Sequence, residues 1–130
     1  MSAEIFVSRF EHGEPAPLDL NAAREFLAPH VVAEDASLNF LQLSTGKRES
    51  ADVYFSAPGT LTFNHAGGQG VMDLLAKLLL LLDAVAIVPG GPVILCRERD
   101  RETLPAGMAD VFPVVVALTG AGIQEAIRTA

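Results

Sequence analysis

Gly67-Gly68-Gln69-Gly70, between a β-rich segment and a leucine-rich one, is the first stretch whose residue types invite chemistry. Backbone N–H groups at the head of a helix cradle phosphates, and glycines let the ligand come close. The spacing fits neither specific pattern. A G-x-G-x-x-G run from Gly68 needs glycine where Asp73 stands, and a Walker loop needs Gly-Lys-Ser/Thr where Gly70-Val71-Met72 stand. Asp73 also brings negative charge to the first helical turn, where it competes with an anion. A sharp strand-to-helix turn explains the glycines more simply. If they do bind a ligand, their companions are His65, an acid–base partner for Asp73, and Gly90 and Gly91. The last two lie in Pro89-Gly90-Gly91-Pro92, a rigid turn after a buried strand, where open α/β sheets hold ligands. His65, Gly68, Gly70, Asp73, Gly90 and Gly91 are therefore the candidate ligand pocket.

Other chemistry-bearing residues are less well arranged. Cys96 is followed by Arg97, Arg99 and Arg101, which would favour a thiolate. A C-x5-R phosphatase loop, however, needs arginine where Glu102 stands, and Glu98, Asp100 and Glu102 offset the arginines. A small hydrophobe closing a strand is the simpler role for Cys96. His12, His30 and His65 have no metal-ligand spacing, and no G-x-S-x-G elbow is present. Glu11/Glu14 and Glu34-Asp35 are paired carboxylates without apolar walls to raise a pKa, so they read as solvated turns. No catalytic residue, metal or cofactor is expected.

The elements that would position these residues follow from periodicity. Glu4–Phe10 sets Ile5 and Val7 on one face and Phe6 and Phe10 on the other, an internal strand that Gly13, Pro15 and Pro17 break. Asp19 or Asn21 caps a short helix over 22–27, which Pro29 ends. A meander follows. SLNFLQLS and ADVYFSA flank a turn at Gly46, and ADVYFSA and TLTFNHA flank Pro58-Gly59. In the last of these strands Leu61, Phe63 and His65 share one face, with Thr60, Thr62 and Asn64 on the other. The aromatic rings are expected to be spent largely on the core. Val71–Leu82 is a helix whose only polar positions, Asp73 and Lys77, lie one turn apart, so most of its circumference must be covered. AVAIV, VILC and PVVVAL are buried strands, expected as parallel neighbours joined by helical crossovers, and a helix over 121–129 closes the chain. The fold class is α+β, or mixed α/β: a single-domain mixed sheet over 1–130, with a central antiparallel meander and a buried leucine-rich helix.

Composition bounds the function. Of 130 residues 50% are hydrophobic, which excludes disorder. Lys and Arg number 9 against 16 Asp and Glu, a net charge of -7, opposite in sign to a nucleic-acid binder. Residues 1–36 alone carry seven acidic side chains against Arg9 and Arg24. Such an excess favours solubility and a basic partner. A lone cysteine fits a reducing cytosol, and no secretory signal opens the chain. The apolar run Val71–Leu82 has 12 residues, fewer than the roughly 20 a membrane span needs.

EIFVSRFEHGEPAPL, the meander, the leucine-rich helix and IVPGGPVIL together resemble small bacterial α/β proteins of the toxin-immunity type, carried by Gly13-Glu14-Pro15 and Pro89-Gly90-Gly91-Pro92. That resemblance implies a protein-binding role. The expected function is thus an acidic, cytoplasmic immunity protein that neutralises a basic toxin domain, binding neither nucleic acid nor membrane. Glu11, Glu14, Asp19, Glu34 and Asp35 are the expected contacts, with Lys47 and Arg48 as a second choice. The alternatives are a small enzyme or ligand-binding domain using the pocket above, and an oligomeric subunit, such as a homodimer, joined through exposed leucines.

Overall fold

The computed structural model describes the backbone at 3–56 and 59–129, with side chains from residue 4. Pro58, expected at a turn, lies outside the described residues. The fold is α+β. One mixed sheet contains the strands β1 (Ala3–Glu11), β2 (Glu14–Ala16), β3 (Val31–Asp35), β4 (Phe40–Gly46), β5 (Glu49–Ser56), β6 (Thr60–Gly67), β7 (Val85–Ile87), β8 (Val93–Leu95) and β9 (Val114–Val116). Across the sheet the order is β3-β4-β5-β6-β1-β7-β8-β9, with β2 added to the end of β1. Four α-helices accompany it among the described residues: α1 (Leu20–Leu27), α2 (Gln69–Leu82), α3 (Met108–Val111) and α4 (Gly120–Thr129).

Helix α2 covers the inner face of the sheet. Its Val71, Met72, Leu75, Leu78, Leu79 and Leu82 join Ile5, Val7, Leu41, Leu43, Val53, Phe55, Leu61 and Phe63 in one core cluster. Ala23 and Leu27 of α1 and Ile123 and Ala126 of α4 complete it. Along α2 the exposed positions are Gln69, Lys77, Leu80 and Leu81, so the wet stripe is narrow, as expected, but includes two leucines. A smaller second cluster lies on the outer face, where Val85, Val93, Leu95 and Leu104 pack with Phe10, Met108 and Phe112. The 3-10 segment Glu98–Thr103 and α3 provide this second cover. The sheet is thus covered on both sides around β7–β9 and on one side across β3–β6.

Several local expectations change. The HGEPAP segment does not simply break β1. His12 and Gly13 both take positive φ, 51° and 79°, and turn β1 tightly into β2 with Glu11 opposite Glu14; paired left-handed residues match the twist of a two-residue hairpin. Strand β3 has no counterpart in the sequence pattern, because four of its five residues are exposed and no alternation marks it. The late strands are mostly antiparallel: β7 pairs antiparallel with β1 and β8, and only β8–β9 is parallel. Five residues between β7 and β8 are too few for a crossover, so Pro89–Pro92 makes a hairpin turn. Asp19, not Asn21, caps α1, accepting from Ala22 N at 3.0 Å.

His65 does not share a face with Leu61 and Phe63. Its φ is 54°, and the register of β6 slips by one residue against both β5 and β1 nearby. This is a β-bulge: His65 is turned out to solvent and Ala66 takes the buried position.

Helix α4 reaches α2 through a close backbone approach. A Cβ at Gly120 would lie 2.5 Å from Asp73 N and 2.8 Å from Met72 C, both backbone atoms that cannot swing aside. Gly120→Ala is therefore expected to cost about 2–3 kcal/mol in urea unfolding, although alanine normally improves a helix.

Candidate functional site

Several of the residues expected to form a ligand pocket have structural roles. A Cβ at Gly68 would meet Glu49 Cγ at 2.5 Å, and one at Gly70 would meet Thr45 Oγ1 at 2.4 Å and Glu49 Oε1 at 2.7 Å. The glycines leave room for the β4–β5 hairpin, not for a ligand. Glu49, which accepts from Thr45 Oγ1 at 3.1 Å, brings a carboxylate of the chain itself beside the head of α2, where a phosphate would have sat. Asp73 Oδ1 accepts from Gln69 Nε2 at 3.0 Å and from Gly120 N at 3.1 Å, so it caps α4 from a neighbouring helix. His65, set outward by its bulge, has no part in that contact. Gly90 and Gly91 belong to the β7–β8 turn, closed by Gly91 N to Val88 O at 2.8 Å, and Gly90 has open space around it.

The five acidic residues expected to contact a partner are exposed but do not gather into one patch. Glu11 and Glu14 face each other across the β1–β2 hairpin, and Glu11 pairs with Arg9. Asp19 is used in the α1 cap. Glu34 and Asp35 lie on edge strand β3, four places from β1 in the strand order. Glu34 is 3.9 Å from Arg24, whose guanidinium sits 4.1 Å above the Phe55 ring. The Ser37 hydroxyl donates to Asp35 at 2.6 Å and holds its carboxyl below the usual range. Lys47 and Arg48 form the tip of the β4–β5 hairpin.

Cys96 is buried on the inner face, with Asp100 Oδ2 and Ala84 O each 3.8 Å from its sulfur. The arginine beside it is engaged elsewhere. Arg97 pairs with Asp83, the left-handed residue ending α2, and lies 3.6 Å from Asp100. Arg97 Nε and Nη2 are sealed from solvent without well-aligned hydrogen bonds, so charge pairing with these two carboxylates carries the contact. Burial first, then the Asp100 charge, pushes the thiol up to about 11.

What the fold leaves open is the outer face of β1 and β4–β6. Residues paired across it form a row, Phe40, Tyr54, Thr62 and Phe6, with Asp35 at its β3 end. Behind runs a second row, Gln42, Asp52 and Asn64. Phe6 is 37% exposed, and Phe40 and Tyr54 are half-buried with ring centroids 5.1 Å apart. These three rings lie outside the core clusters, to which Phe10, Phe26, Phe55, Phe63 and Phe112 contribute. Asn64 Oδ1 is buried without a donor. Beyond Thr62 and Phe6 the face runs into a hollow of about 320 Å³ walled by Ser8, Arg9, Phe10, Pro15, Pro17 and Thr60. The alternation of Thr60, Thr62 and Asn64 already marked this as the wetter side. That it stays bare depends on where α3 packs, and the strand pattern holds no trace of that.

Among the described residues no three His, Cys, Asp or Glu side chains group to hold a metal ion. Nor is any helix among them long and apolar enough to cross a membrane.

Native Cys96 is expected to react with iodoacetamide at pH 8 about a hundredfold more slowly than in the unfolded chain, given a pKa near 11 against 9.0. Its folded value is the higher one. Protonation therefore stabilises the native state fully below about pH 9, and this contribution is lost as pH rises towards about 11, measurable as a falling urea midpoint.

Compared with protein-family models, curated proteins and solved structures, the chain gave no match.

Proposed function

We propose that the chain is an acidic protein-binding module that captures a basic protein partner. One observation supports this best: the fold commits much of its positive charge internally and leaves acidic charge outside. Arg9, Arg24, Arg97, Arg101 and Arg128 each lie in an ion pair with a carboxylate of the same chain. Against a net charge of -7, that pairing leaves a surface whose field attracts cations. The narrower form of the reading is an immunity protein in a reducing cytosol that neutralises a basic toxin domain. Many such targets are basic because they hold phosphates, and an acidic partner can both reach them fast and occupy the site.

The test is association kinetics with the product of an adjacent toxin-domain gene. Raising salt from about 20 to 200 mM is expected to slow association about tenfold or more, and Glu11→Lys/Glu14→Lys/Glu34→Lys to do the same at low salt. An association rate indifferent to both would sink the acidic reading. Asp19 and Asp35 are left unchanged because their capping bonds would confound the result.

A second reading, an oligomeric subunit, is favoured by Leu80 and Leu81, which are 51% and 53% exposed side by side on α2. Sedimentation over a hundredfold concentration range tests it. Self-association that Leu80→Gln/Leu81→Gln abolishes would establish it, and a monomer throughout would end it.

A further inference from the structure

We propose that the open sheet face is the recognition surface and that it seats an arginine-bearing segment of a protein partner. The inference rests on the acidic protein-binding reading and deepens it by naming the surface and the side chain it takes. Three observations converge there. The face carries aromatic rings at its centre: Phe6 exposed, and the Phe40 and Tyr54 rings tilted at 39° to each other. It carries acceptors beside them: Asp52 lies two residues before Tyr54 on the same face, cross-strand from Asn64, whose Oδ1 has no donor. Glu4, on β1 two residues before Phe6, is also exposed. And β1 and β4–β6 carry no Lys or Arg except Arg9, beside the hollow, which pairs with Glu11 and Asp83.

An arginine answers all three features at once. Its guanidinium stacks flat on an aromatic ring and presents a fork of N–H donors to a carboxylate. Lysine offers a point charge without the stacking plane. Face to face with a second copy the same acids would meet, so like charges oppose symmetric self-docking through this face. The absence of cover fits as well, because an antiparallel sheet half can keep one side free while the other carries the core.

The experiment uses the full-length ¹⁵N-labelled protein titrated at low salt with acetyl-Arg-Gly-Arg-Gly-Arg-amide and with the matched lysine peptide. Saturable amide shifts are expected at Phe6, Phe40, Asp52, Tyr54 and Thr62, with the lysine peptide at least about threefold weaker. Asp52→Asn and Tyr54→Ser are each expected to weaken binding about threefold to tenfold. Tyr54 is half-buried, so Thr62→Arg serves as the second variant. It places a cation of the chain itself on the face and is expected to abolish peptide binding, with unchanged amide shifts at Leu75 and Ile94 reporting an intact core. Shifts confined to Glu11, Glu14 and Glu34, or equal affinity for both peptides with Tyr54 silent, would overturn the inference while leaving the acidic reading to its own kinetic test. Absence of any shift overturns it too.

Discussion

The structure depends on the burial of one helix against one face of one sheet. Helix α2 is so apolar that it is stable in water only when most of its circumference is covered, and the inner face of β1 and β4–β6 supplies the broad apolar surface that does this. Helices α1 and α4 then close the flanks. The close approach at Gly120 and the Asp73 cap on the α4 backbone lock the second contact. Because the three helices that share this core pack on the inner face, the outer face of the same strands is left without a layer. The bare face is thus a consequence of where these helices, and α3 on the other side, pack.

The groups that look most chemical in the sequence are spent on holding this arrangement. The glycines before α2 admit the Glu49 and Thr45 side chains, and the helix head meets a carboxylate from its own chain instead of a bound anion. Asp73 satisfies the backbone at the start of another helix. Cys96 is a core residue whose environment disfavours the thiolate, and the neighbouring Arg97 ties the end of α2 to the segment after β8 through Asp83 and Asp100. Asp83 tolerates a left-handed backbone at 56°, a strained conformation for a residue with a Cβ, at a position where its carboxylate also reaches Arg97 and Arg9. Each of these residues bears on stability first.

The surface left over has a different character from the scattered acids of the loops. Glu11, Asp19, Glu34 and Asp35 each have a partner within the chain, either an arginine or a backbone N–H. Asp52 and the aromatic row lie together on rigid paired strands, which hold side chains in fixed relation better than loops do. Preorganised aromatic and acidic groups on a flat sheet suit recognition of another macromolecule, where large side chains and a few oriented charges carry most of the affinity.

The sequence by itself determined the elements with strong local periodicity. The alternation of Leu41/Leu43, Ala51/Val53/Phe55 and Leu61/Phe63 marked the meander, and the near-continuous run Val71–Leu82 marked its covering helix, because side-chain period is a local property of the backbone. It also determined that the glycine pattern before α2 fits no phosphate motif. Only the tertiary structure decided the rest. Strand β3 has no apolar alternation and exists because β4 offers it a partner. The outward turn of His65 comes from a one-residue register slip, which no residue type in β6 announces. The pairing of β7 with β1 joins residues some eighty positions apart, and the choice of which half of the outer face α3 covers is likewise made by contacts distant in sequence. Those contacts leave Phe6, Phe40 and Tyr54 facing outward, and spacing along a single strand carries no record of what packs above it.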